Sequence, residues 1–172
     1  MDLTDELPCD GSSHAPRDPS RPPRIIVAED DPGMLEVVAL TLRNEGYDVV
    51  EERDGGRLLV RVAAIYTFGG TVDPIDLIVS DICMPVCSGL DILQGLRDAH
   101  WSTPVILMTA LRDDDVRRRA TNLGASLLEK PVRMADLLAE VKALLSSPRN
   151  LGKPSLPAEH KQGPGSTGTP RS

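Results

Sequence analysis

Apolar residues in this chain follow two rhythms that alternate. Short, nearly unbroken apolar runs occupy 25–28 (Ile-Ile-Val-Ala), 75–79 (interrupted by Asp76), 105–108 (Val-Ile-Leu-Met) and 125–128, with a weaker run at 47–51. Runs of this length bounded by turn residues read as strands buried on both faces. Between them apolar residues recur at helical spacing. Asp31-Pro32 supplies an N-cap and a helix-opening proline, Leu35, Val38 and Leu42 follow, and Gly46 stops the helix. Leu58, Leu59, Val62, Ala63, Ile65 and Tyr66 predict an amphipathic second helix. The third is expected over 88–99, with Leu90, Leu93 and Leu96 facing inward. A fourth over 113–123 opens on Asp113-Asp114-Asp115, which suits a positive helix N-terminus. The fifth, over 134–146, carries Leu137, Leu138, Val141, Leu144 and Leu145. The order is βαβαβαβαβα, which predicts an α/β fold: one parallel sheet with helices on both faces.

Outside this region the pattern stops. Residues 1–23 and 148–172 are rich in Pro, Ser and Gly and lack periodic apolar positions, so both are expected to be disordered tails around one domain at 24–147. The N-terminus has acids and no apolar core of a secretory signal, and no run approaches the ~18 residues of a membrane span, so a cytoplasmic location without membrane contact is expected. A net charge of −7 argues against nucleic-acid binding by bulk charge. Three cysteines, Cys9, Cys83 and Cys87, are an odd count in a chain without a signal, which predicts reduced thiols.

Candidate chemistry sits where the apolar runs stop. The first ends on Glu29-Asp30-Asp31, the second on Ser80-Asp81, the third on Thr109, the last on Glu129-Lys130-Pro131. In a parallel sheet these ends share one edge, where ligands bind in open α/β folds. Glu29, Asp30 and Asp81 would then be three carboxylates against one Lys130, a repulsion that raises one carboxyl pKa or recruits an oxygen-seeking divalent ion such as Mg²⁺. A carboxylate fixed by a strand end and open above, as Asp81 would be, can attack phosphorus. Thr109 would offer its hydroxyl to a phosphoryl oxygen, with small Ala110 leaving room and Gly89 opening the third helix nearby. Taken singly, each of these residues is an ordinary cap or turn former; their order and spacing together carry the reading.

Glu29-Asp30, Asp81-x-x-Met84-Pro85-x-x-x-Gly89, Thr109-Ala110 and Lys130-Pro131 resemble the receiver domain of two-component response regulators, over about residues 24–146. The resemblance implies a flavodoxin-like, doubly wound five-stranded sheet in the order 2-1-3-4-5. It implies that Asp81 accepts a phosphoryl group from a histidine kinase or phosphotransfer protein. Mg²⁺ would be held by Asp30, Asp81 and the backbone carbonyl of Cys83, with Glu29 assisting. Thr109 would be the switch hydroxyl and Lys130 the phosphoryl-pairing lysine. A protein partner would read the shifted conformation, and the face of the fourth helix, fifth strand and fifth helix is a common surface for signalling or homodimerisation. Such a chain is a phosphoacceptor with self-phosphorylation and self-dephosphorylation chemistry rather than an enzyme. Too few residues follow the fifth helix for a DNA-binding module, so a stand-alone receiver in a phosphorelay is expected.

Departures accompany the match. Leu127 stands where receivers usually carry Tyr or Phe, and Val132 where Phe is common. Residues 66–74 lengthen the second crossover, and Cys83 and Leu111 offer no carboxylate or amide to orient water, which predicts slow self-dephosphorylation. Two alternatives stay open: a pseudo-receiver that binds a partner without phosphate, and an aspartyl-phosphate phosphatase, which usually needs an Asp where Cys83 stands. No Walker A or G-x-G-x-x-G occurs, and Gly55-Gly56 and Gly69-Gly70 read as ordinary turn glycines.

Overall fold

The computed structural model describes residues 21–67 and 74–146. Ten elements alternate: β1 (Arg24–Ala28), α1 (Pro32–Asn44), β2 (Asp48–Glu52), α2 (Gly55–Thr67), β3 (Leu77–Asp81), α3 (Gly89–Asp98), β4 (Val105–Thr109), α4 (Asp114–Asn122), β5 (Ser126–Glu129) and α5 (Met134–Ser146). All pairings are parallel and the strands lie in the order β2-β1-β3-β4-β5, the doubly wound arrangement the sequence implies. The central strands β3 and β4 are buried along their whole length, which accounts for their unbroken apolar character.

Alternation along the strands sorts the core into two layers. Ile26, Ile78 and Leu107 point to the side covered by α2, α3 and α4, where Leu58, Val62, Leu90, Leu93, Leu96 and Ala120 meet them. Ile25, Val27, Leu77, Val79, Ile106 and Met108 point to the other side, against Leu35, Val38 and Leu42 of α1 and Leu137 and Val141 of α5. Each such fully buried aliphatic side chain contributes about 1.5–3 kcal/mol of transfer free energy, so these two layers are the main source of stability.

Helix starts are fixed locally. Asp31 Oδ1 accepts from Met34 N–H at 2.7 Å, Asp54 Oδ1 from Arg57 N–H at 2.8 Å, Ser88 Oγ from Asp91 N–H at 3.1 Å, and Asp113 Oδ1 from Asp115 N–H at 2.8 Å. Gly46 at φ 87° and Gly124 at φ 68° turn the chain out of α1 and α4 in the left-handed region, where a side chain is strained.

Four features differ from the sequence expectation. Strand ends move by one or two residues, because inter-strand hydrogen bonding rather than hydropathy decides where a strand stops; β3 extends to include Asp81 itself. Residues 21–23, expected in the N-terminal tail, are tied down: Arg21 Nη1 pairs with Asp76 Oδ2 at 2.9 Å and Pro23 O accepts from Asp48 N–H at 3.0 Å. Leu59, Ala63 and Tyr66 of α2 are exposed; only Leu58, Val62 and Ile65 supply its inner stripe. Gly55 and Gly56 are not turn residues but open α2. The remainder of both expected tails, and residues 68–73 of the lengthened crossover, lie outside the described residues. Among the described residues no helix is long and apolar enough to cross a membrane.

Candidate phosphoryl and cation site

Parallel pairing delivers the strand ends to one edge. Ala28 pairs with Ser80, Asp81 with Met108, and Thr109 with Glu129, so Glu29, Asp81, Thr109 and Lys130 leave four adjacent strands at one level. Backbone bonds lock that level: Ile82 N–H donates to Met108 O at 2.9 Å and Lys130 N–H to Thr109 O at 2.7 Å.

Carboxylate oxygens of Glu29, Asp30 and Asp81 all lie within 4.8 Å of one another. Glu29 and Asp81 are buried while Asp30 is exposed, so the cluster is deep on two sides and open on the third. Three oxygen donors so close, with an open side for water, fit a small hard cation. The chemistry of the donor set therefore suits a divalent ion of the Mg²⁺ type, and among the described residues no cysteine or histidine belongs to the cluster.

Lys130 is the countercharge. Its Nζ donates to both Glu29 oxygens, at 3.0 and 2.8 Å, and lies 3.2 Å from Asp81 Oδ1. The ammonium is thus shared, and held more closely by Glu29 than by Asp81. Burial pushes the Glu29 carboxyl above its ordinary range; the Lys130 bond opposes this and the charge of Asp81 adds to it. Mutual repulsion alone predicts a raised carboxyl, but desolvation is the larger cause. For Lys130 burial favours the neutral form, yet the bond to Glu29 and the charge of Asp81 outweigh it, and its pKa is raised.

The remaining residues frame this centre. Thr109 is buried, and its Oγ1 accepts from Leu111 N–H at 3.0 Å, which binds the start of the loop after β4 to the strand end. Cys83 is exposed two residues beyond Asp81. Burial and then the charge of Asp81 raise its thiol pKa, so the thiolate is disfavoured and Cys83 makes a poor nucleophile here. Cys83 and Cys87 are both free thiols.

Glycines set the approach of the loop after Asp81. A Cβ on Gly89 would stand 2.3 Å from the Asp81 carbonyl oxygen and 2.7 Å from Ser80 Oγ. Ser80 Oγ itself donates to that carbonyl at 2.9 Å. A Cβ on Gly55 would stand 1.8 Å from Cys87 O. The loop therefore packs backbone-first against α2 and is closed by α3, and neither glycine tolerates a side chain. Between them Val86 adopts φ 73° with its side chain 87% exposed, a costly geometry for a β-branched residue. The roles of Gly55 and of Ser80 carry no signal in the sequence; that of Gly89 is foreshadowed only by its place in the motif.

Comparison with known proteins fits this geometry. A family model described as the response regulator receiver domain matches residues 25–142. The transcriptional regulatory protein TrcR of Mycobacterium tuberculosis is 30% identical over 137 residues, which cover 78% of this chain and 49% of that protein. The probable transcriptional regulatory protein SilR of Salmonella typhimurium is 35% identical over 123 residues, covering 71% and 50% respectively. The chain spans about half the length of the curated relatives it matches. The receiver domain of the Francisella response regulator 1452 superposes with a TM-score of 0.63 at 27% identity, covering 72% of this chain and 96% of that domain. With the strand order, the acidic cluster at the strand ends and the family match in agreement, this chain belongs to the response regulator receiver domain family of two-component signalling.

Proposed function

We propose that this chain is a phosphoacceptor switch in which Asp81 takes a phosphoryl group from the phosphohistidine of a histidine kinase or phosphotransfer protein. The observation that carries the reading is the convergence of Glu29, Asp30 and Asp81 at the carboxyl edge of the sheet, with Glu29 and Asp81 both paired to Lys130. In the transfer an Asp81 carboxylate oxygen bonds to phosphorus while the nitrogen–phosphorus bond of the donor breaks and the donor histidine keeps the electron pair. Asp81 is fixed by β3 below and by Ser80 and Gly89 around its backbone carbonyl, so its carboxylate starts from a backbone held in place at the strand end. Glu29, Asp30, Asp81 and the carbonyl of Cys83 would hold a Mg²⁺ ion, which when bound neutralises phosphoryl charge. Lys130 would exchange its bonds to Glu29 for a phosphoryl oxygen. Thr109 would turn its hydroxyl toward the same group and give up the Leu111 N–H, releasing the loop that leads to α4. The new arrangement would be read by a protein partner.

Phosphohistidine transfer tests this. Label is expected to pass to the wild type only when a divalent cation is present, and transfer that is equally fast with a chelator would overturn the reading. Cys83 and Leu111 place no water-orienting carboxylate or amide beside Asp81, so the label is expected to persist well beyond seconds without a phosphatase. Decay within seconds would contradict that part of the account.

A further inference from the structure

The outer surface of α2 is not what a solvated helix carries. Of its 13 residues only Arg57 and Arg61 are charged. Leu59, Val60, Ala63 and Tyr66 are all exposed, with Val60 71%, Tyr66 60% and Leu59 46% accessible. At 100° per residue these four fall on one side of the outward face, and the two arginines on the other. Val86 extends the stripe at the end nearest Asp81: its Cγ1 lies 3.1 Å from where a Cβ on Gly56 would stand. At the far end the Tyr66 ring leans on Trp101, with centroids 6.4 Å apart, which holds it in place. The stripe therefore runs the length of the helix, about 20 Å at the usual rise. By contrast the large apolar side chains that α1 exposes are Val37 and Leu40, beside Glu36 and Arg43.

Charge indicates what covers it. Residues 53–67 hold three arginines and one acid, Asp54, in a chain whose net charge is −7. Arg61 is committed to Glu52 at 2.6 Å, a carboxylate only 6% exposed. Arg53 is exposed. Arg57, 70% exposed, has only a 3.5 Å contact with Asp54, too weak to compete with a second carboxylate. A second copy of this chain laid antiparallel on the face would bring Arg57 of one copy to the same side as Arg57 of the other, with no added carboxylate to meet them. We propose that the outer face of α2, continued by Val86, binds an acidic amphipathic helix of a partner protein, whose apolar row covers Leu59, Val60, Ala63 and Tyr66 while its carboxylates meet Arg53 and Arg57.

The test uses the full chain as bait for a random-peptide library, with Val60→Lys as the counter-bait. Lysine keeps the attraction for acids, so any loss reports the apolar contact, and Val60 is too exposed for the change to unfold the helix. Enriched peptides are expected to carry apolar residues at helical spacing with an excess of Asp and Glu. They should shift amide resonances of α2 and Val86, bind Val60→Lys about tenfold or more weakly, as for a lost interface anchor, and bind Arg57→Glu with a smaller, salt-sensitive loss. Absence of enrichment, enrichment of basic or non-helical peptides, equal binding to Val60→Lys, or an α2-dependent dimer by sedimentation would each overturn the proposal. None of these readouts depends on Asp81 chemistry, so failure here leaves the phosphoacceptor reading standing.

Discussion

Gly89 shows how a single absent methyl group shapes the site. The carbonyl of Asp81 and the hydroxyl of Ser80 already fill the space a Cβ would need. Gly89→Ala must push the loop after β3 away from α3, and such overpacking is expected to cost about 1–3 kcal/mol in denaturant unfolding, with a matching loss of acyl-phosphate reactivity. A substitution that is neutral in both would contradict the packing described. Glu29 gives a pH signature. Its folded pKa is raised, so the folded state holds the proton more tightly than the unfolded chain, and this group's contribution to stability worsens as pH rises from the ordinary glutamate range through the raised value. Lys130 acts in the opposite window: its raised pKa stabilises the fold at neutral pH and that contribution is lost as pH rises through it, above the ordinary lysine range. The free energy of unfolding measured across pH 4 to 7 should therefore fall less steeply in Glu29→Gln than in the wild type; an unchanged profile would show that burial does not govern Glu29. That Glu29, Asp81 and Lys130 meet was legible, because parallel strands of similar length end together. Which carboxylate holds the lysine was not, since it depends on reach and burial measured in tenths of an ångström.

At the scale of elements, Arg97 is the tie that periodicity could not reveal. It sits on α3 and donates from Nε to Leu123 O at 2.8 Å, and from Nη1 to Trp101 O at 2.6 Å and Thr103 O at 3.1 Å. The end of α4 and the approach to β4 are thus fastened to one half-buried guanidinium, whose pKa burial lowers. Arg97→Lys keeps the charge but cannot span three carbonyls, and a loss of about 2–3 kcal/mol is expected from the unpaired groups; wild-type stability in this variant would show that water replaces the guanidinium at no cost. In a sequence a lone arginine at a helix end reads as a dipole partner, and nothing distinguishes one that turns inward. The same ambiguity misplaces Leu59, Ala63 and Tyr66. A helix whose polar side is only two arginines marks poorly which apolar residues face the core, whereas α3, with Asp91, Gln94 and Asp98 outward, has Leu90, Leu93 and Leu96 placed inward as expected, with buried Ile92 the one addition.

For the whole molecule, the alternation of buried runs and helical stripes predicted a parallel sheet covered on both faces, and right-handed crossovers left few arrangements; the strand order itself followed only from the receiver resemblance. Two sets of contacts lie beside Asp81 along which the proposed phosphorylation would be felt. One passes through Thr109 and the Leu111 amide to α4, which Arg117 fastens to Glu129, the neighbour of Lys130. Leu127 lies on this side, packed against the core under α2, α3 and α4, and offers no ring to swing. The other passes through the loop of Val86 and Cys87 onto the opening of α2, where no side chain intervenes between the two backbones. On the proposed function, both would depend on Asp81 carrying the modification. Intact-protein mass spectrometry after incubation with Mg²⁺ and a small acyl phosphate addresses this directly. The wild type should gain the mass of one phosphoryl group, Asp81→Asn should gain none, and a chelator should suppress the gain. An equal gain in Asp81→Asn, or no gain in a folded wild type, would contradict the account.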